Sequence, residues 1–270
     1  MPNKGGWLVN KKRKSRRDHP NTLTDNNVLK MINKIKNTDF YLSETIAGRK
    51  PLLNVLLKMR DKALISTIWI FFKRGSEVLR LKREDVSMTD KEIIITFIIS
   101  KKTKRYKVCP KCEHVTGHRK KYCNECGENM LDVEILTKGE KKIVTKRKTL
   151  KNKFVKYIVE WIQKLDELIE DNEEILIFPP LRIVFSDAFF DFYARKPMTI
   201  RNFDYILEKL DPTMTSCMFR YGGTEKYLNR GYSTDELKAI GDWSSARMPE
   251  IYAERKGITP PERRWSEDIE

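Results

Sequence analysis

Two Cys-x-x-Cys pairs, Cys109-Pro-Lys-Cys112 and Cys123-Asn-Glu-Cys126, stand ten residues apart in this chain of 270 residues, and they constrain its fold more than any other feature. Each pair brings two thiolates within reach of one ion, and two such turns complete a closed tetrahedral zinc site. Pro110 follows the first cysteine and Gly127 the last, residues that suit the tight knuckles of a zinc ribbon. Four thiolates leave no open position for water, so the expected role of zinc is structural. A disulfide framework would need an oxidising compartment, for which the sequence gives no support. His114 and His118 lie in the intervening loop as alternative ligands.

Positive charge concentrates in the same region. The chain carries 54 Lys+Arg against 38 Asp+Glu, a net charge of +16. Residues 1–17 hold seven basic residues and no acid, residues 101–153 net +11, and the remainder nets −2. A near-neutral body with two cationic segments suits a polyanion, so nucleic acid is the expected partner. The arm contributes Lys11, Lys12, Arg13, Lys14, Arg16 and Arg17, and the ribbon contributes Arg119, Lys120 and Lys121 beside Tyr122. An apolar fraction of 40% suffices for a core. The longest apolar run, Ala63 to Phe72, falls short of the ~20 residues that cross a bilayer. The N-terminus also lacks a signal-peptide core, so no membrane partner is expected.

Periodicity supplies the frame. Val28, Leu29, Ile32 and Ile35 recur at helical spacing behind Thr22 or Thr24 as caps. Residues 52–72 read as a buried helix pair, and Ser76 as the cap of a short helix through Leu81. Ile93–Ile99 is β-branched and reads as a strand, with further strand candidates at Leu131–Thr137 and near Ile143-Val144. One apolar stripe predicts a helix over residues 153–169. More helices are expected at 186–193, 199–210, 218–229, 234–240 after the capping box at Ser233, and 245–252. The sum is a mostly helical α+β domain with a small antiparallel sheet and an inserted ribbon. Its expected parts are a basic flexible arm at 1–21, a domain at 22–256 with the ribbon at 106–130, and a tail at 257–270.

Three separated segments complete the reading: Phe72-Lys73-Arg74-Gly75-Ser76-Glu77 with the helix before it, Met218-Phe219-Arg220-Tyr221-Gly222-Gly223-Thr224, and Ile240-Gly241-Asp242-Trp243-Ser244-Ser245 with Tyr252 nine residues beyond Trp243. In order and spacing they resemble the catalytic domain of the tyrosine recombinases, the phage integrase family, over residues 23–256 apart from the ribbon. The resemblance implies that Tyr252 is a nucleophile, that Arg74 and Arg220 clamp the scissile phosphate, and that Glu77 orients the site. Trp243 takes the His/Trp position, and Lys102, with Lys101 and Lys104 as alternatives, takes that of the hairpin lysine that protonates the leaving oxygen. The implied activity is site-specific DNA breakage and rejoining through a covalent 3′-phosphotyrosine, without metal in the chemistry, by a homo-oligomer on double-stranded DNA. An intracellular, DNA-associated location follows, in a prokaryotic cytoplasm or a eukaryotic nucleus.

Two departures sharpen this. The family's histidine three residues before the second arginine is here Cys217, whose thiol is a weak donor. Only 22 residues precede the resemblance, where the family usually carries a core-binding domain, so arm and ribbon are expected to supply that grip. The alternative class is a catalytically weakened relative that binds DNA as an accessory or regulatory protein. A type IB topoisomerase, which shares the nucleophile and arginines, is disfavoured by the Gly-Asp-Trp-Ser-Ser segment.

Overall fold

Residues 63–72 carry no charge and are apolar apart from Ser66 and Thr67, and a helical segment of that kind must be buried. In the computed structural model, which describes residues 23–37, 51–100, 104–139, 141–168, 175–180 and 197–258, residues 51–71 form one continuous helix. Among the described residues the order is α1 (Asp25–Asn37), α2 (Pro51–Phe71), α3 (Gly75–Val78), β1 (Val86–Met88), β2 (Glu92–Ser100), β3 (Lys104–Val108), β4 (Val115–Gly117), β5 (Leu136–Lys138), β6 (Lys141–Thr149), α4 (Val155–Asp166), α5 (Ile200–Leu210), α6 (Ser216–Leu228), α7 (Thr234–Gly241) and α8 (Arg247–Lys256). This is an α+β fold, as expected. The chain divides into two compact units, Ile35–Phe203 and Met1–Lys34 with Asp204–Glu270.

In the unit Ile35–Phe203, α2 packs on α4, and Leu64, Ile68, Trp161 and Ile162 are buried there. The indole N–H of Trp161 donates to the Ile177 carbonyl at 2.7 Å, which fixes the segment after α4. Strands β1, β2 and β6 form an antiparallel sheet in the order β1-β2-β6. Ile93, Ile95, Phe97 and Ile99 alternate onto its buried face, as the β-branched run predicts. Phe97 meets Phe71 at 5.6 Å between ring centroids, tying sheet to helix. Strand β6 is an edge strand with five basic residues among its nine, a composition that discourages edge-to-edge pairing.

Three expectations change here. The pair of helices over 52–72 is a single helix of 21 residues, because neither Gly nor Pro interrupts residues 52–71. Arg74 rather than Ser76 caps α3, since Phe72 takes a left-handed φ of 59° and turns the chain early. Pairing at 131–137 begins only at Leu136, and the ribbon strands form their own sheet, ordered β4-β3-β5. Ser100 faces Lys141 and Lys104 faces Lys138. Lys101 and Lys102, the arm at 1–21, the expected helix at 186–193 and the tail from 259 lie outside the described residues.

In the other unit, α1 buries Val28, Met31 and Ile32. Lys34 on α1 donates to the Leu210 carbonyl at 2.6 Å, and Lys226 on α6 pairs with Asp25 at 2.6 Å. The capping box at the start of α7 forms as read: Glu236 N–H donates to Ser233 Oγ at 3.1 Å, and Ser233 N–H to the Glu236 carboxylate at 2.7 Å. Ala246, not Ser245, caps α8 and offers no side-chain hydrogen bond.

Candidate active site and metal centre

Helix α6 carries Arg220, and its placement depends on a glycine two residues on. A Cβ on Gly222 would lie 2.6 Å from both the Cβ and the carbonyl oxygen of Leu23, so only glycine permits this approach. Gly222→Ala is therefore expected to push α6 away from the chain before α1, destabilising the unit by about 1–3 kcal/mol as overpacking does, visible as a lowered midpoint in thermal unfolding.

The approach fixes the rotation of α6 and with it Arg220, which is 5% exposed. Its Nη2 donates to the Gly241 carbonyl at 2.7 Å, and its guanidinium carbon lies 4.6 Å from the centroid of the Trp243 ring. Asp242, the left-handed residue that ends α7 with φ 53°, folds Trp243 back over Gly241. A Cβ on Gly241 would meet that indole at 2.5 Å, so this position too requires glycine. Trp243 in turn meets the Tyr252 ring edge-on, with centroids 5.8 Å apart and planes at 69°. Tyr252 is 9% exposed on α8 and has a second aromatic neighbour, Tyr221 of α6, with centroids 4.4 Å apart. Arg220, Trp243 and Tyr252 thus form one continuous cluster within their unit. Cys217 is exposed in the first turn of α6.

Arg74 and Glu77 belong to the unit Ile35–Phe203. The turn through Phe72 is an unusual conformation for a bulky residue, persisting because its side chain is 2% exposed and the surrounding packing holds it. Lys73 is buried, with Nζ 5.1 Å from the Phe97 ring centroid. Glu77 then takes two bonds from Arg74: its carboxylate accepts the Arg74 backbone N–H at 3.0 Å and Nη1 at 2.8 Å. The Arg74 side chain stays 48% exposed while the Glu77 carboxylate holds its Nη1.

The four ribbon cysteines converge. Their sulfurs lie within 4.8 Å of one another, with Cys109–Cys126 and Cys112–Cys123 each at 3.5 Å. A tetrahedral site with metal–sulfur bonds of about 2.3 Å has sulfur–sulfur edges of about 3.8 Å, so this donor set fits a metal ion. Each knuckle turns through a left-handed residue, Glu113 at φ 56° and Gly127 at φ 73°, closed by Glu113 N–H to the Cys109 carbonyl at 2.9 Å and Gly127 N–H to the Cys123 carbonyl at 3.1 Å. The Cys123 thiol is lowered to about 6, first by the backbone N–H of Cys126. Cys112 is pushed up to about 12: the His114 N–H draws it down, and the Cys126, Cys123 and Cys109 thiols together with desolvation outweigh that. Four thiols this close do not all ionise without a cation among them.

His114 stands apart from the cluster, with Nδ1 3.9 Å from the Glu125 carboxylate. Arg119, Lys120, Lys121 and Tyr122 are exposed. The buried Lys107, unremarked in the sequence, donates to the carbonyls of Met130 and Leu131 and ties β3 to the second knuckle. Tyr221 was equally silent, since its contact with Tyr252 joins positions 31 residues apart.

No family model matches the chain, and no curated protein does. Solved structures do match. The XerH site-specific recombinase bound to palindromic difH substrate, a post-cleavage complex, superposes with a TM-score of 0.50 at 13% identity, over 90% of this chain and 52% of that one. The pre-cleavage complex of XerH with difH gives 0.49 at 13% identity, over 87% and 51%. The chain thus spans about half the length of the recombinase it matches. The likeness is one of fold: this chain has the fold of a tyrosine recombinase catalytic domain.

Proposed function

We propose that the chain is a site-specific DNA strand transferase that breaks and rejoins double-stranded DNA through Tyr252. The observation that carries this reading is the contact chain from Arg220 through Trp243 to Tyr252, which joins a phosphate-binding fork to a candidate nucleophile. The Tyr252 oxygen bonds to phosphorus as its phenolic proton passes to water, the bond to the 5′-oxygen breaks, and that oxygen takes a proton from Lys102. Arg74 and Arg220 offer paired donors to the non-bridging oxygens as charge builds, and Glu77 keeps Arg74 aimed. Trp243 supports Arg220, and Cys217 replaces an imidazole with a weaker donor.

Zinc on Cys109, Cys112, Cys123 and Cys126 would be structural, and the chemistry uses no metal. The arm at 1–21 and the ribbon cations Arg119, Lys120 and Lys121 bind the DNA backbone, and several copies assemble on the DNA within the cell. Among the described residues no helix is long and apolar enough to cross a membrane.

Cys217 is the specific observation behind a second reading, a DNA-binding accessory protein with weakened catalysis. One experiment separates them. Duplexes selected from a random pool for binding are nicked beside each candidate phosphate and incubated with the protein; a denaturant-resistant adduct mapping to the Tyr252 peptide supports strand transfer. A bound duplex that yields no adduct at any nick favours the accessory reading. Within the first reading, Arg220→Ala is expected to slow adduct formation ~100–1000-fold, the usual cost of one lost oxyanion donor, and to shift Trp243 emission.

A further inference from the structure

Tyrosine side chains turn about two torsions, and a nucleophile is effective only when its oxygen is held close to the line of attack. Trp243 restrains the Tyr252 ring edge-on from one side at 5.8 Å. An edge contact of this kind bears on one part of the ring. Tyr221 supplies the second contact, closer at 4.4 Å, with the planes tilted by 58°. Both restraining rings are themselves placed: Trp243 by Gly241 and the Arg220 guanidinium, Tyr221 by the helix that Gly222 locks against Leu23.

We infer that Tyr221 is a positioning residue for Tyr252, one jaw of an aromatic clamp whose other jaw is Trp243. The inference rests on the strand-transfer reading for its consequence, but the clamp itself is a property of the free protein. Arg220 and Tyr221 are consecutive on α6, so the helix that presents the phosphate-binding fork also presents the jaw. Any rotation of α6 moves both together, which couples the aim of the nucleophile to the position of the phosphate. The ring of Tyr221, not its hydroxyl, does this work.

The test has two arms. In single-turnover adduct formation at saturating nicked duplex, Tyr221→Leu and the longer, ringless Tyr221→Met are expected to slow the rate about tenfold, the upper range of an aromatic pair, with DNA affinity unchanged. Tyr221→Phe is expected to restore the rate. In the free protein, fluorotyrosine placed at 252 is expected to shift its fluorine resonance towards that of a free phenol in both ringless variants, and to keep it in Tyr221→Phe. A wild-type rate and resonance in the ringless variants would overturn the inference, as would a Phe variant as slow as they are. Should the wild type form no adduct, strand transfer falls, and the fluorine arm alone decides whether Tyr221 holds Tyr252.

Discussion

Tyr252→Phe is expected to abolish the covalent DNA adduct to the limit of detection while leaving the fold and DNA affinity unchanged. The substitution removes one oxygen and keeps the ring that meets Tyr221 at 4.4 Å and Trp243 at 5.8 Å. Packing on α8 is therefore preserved, and lost adduct reports the nucleophile rather than a damaged core. The neighbouring Tyr221 hydroxyl is not expected to substitute, because α6 fixes its ring against the face that Tyr252 occupies. An adduct that survives in Tyr252→Phe, mapped to any other tyrosine, would falsify the assignment. Unchanged retention of duplex by gel shift is the necessary companion measurement.

Loss of ribbon structure on Cys123→Ser is the second large effect. Its buried apolar set is Cys109, Cys123 and Met130, with Cys126 and Val133 packed against it. Burying a large apolar side chain contributes about 1.5–3 kcal/mol. Ordering each residue costs about 1–2 kcal/mol, so residues 104–138 cannot hold themselves together on that core. A structural zinc contributes roughly 10–16 kcal/mol in small metal-organised domains, more than the whole of that small apolar set. In Cys123→Ser, or after chelation, proteolysis is expected to cut within 104–138 while the sheet β1-β2-β6 stays protected, because its core of Ile93, Ile95, Phe97 and Ile99 is separate. Bound zinc, measured by metal analysis, should fall in parallel. A Ser variant as resistant as the wild type would show that the ribbon does not depend on the ion.

Both effects involve residues legible in the sequence, and the reason is local. The cysteine spacing is a short-range code, and Arg220, Trp243 and Tyr252 stand in an ordered series of helix starts and stops. What the sequence concealed is long-range. Gly222 meets Leu23 some 200 residues away, and nothing near either residue announces the contact. Phe72 takes a left-handed turn that favours glycine, so the early end of α2 and the cap at Arg74 followed from packing rather than propensity. The strand expected over 131–137 shortened because Lys107 binds the Met130 and Leu131 carbonyls, drawing that stretch towards the cysteines instead of the sheet.

The hairpin carries one more consequence. Ser100 and Lys141 sit directly opposite each other, as do Lys104 and Lys138 beyond them. The chain thus departs from the sheet and returns to it at adjacent points, and the ribbon makes its closing contacts with itself. An ancestral hairpin with a short turn could gain or shed this segment in a single insertion or deletion, with the register of β2 on β6 unaltered. The four cysteines then read as a detachable graft, whose evolutionary history need not be that of the domain on which it sits.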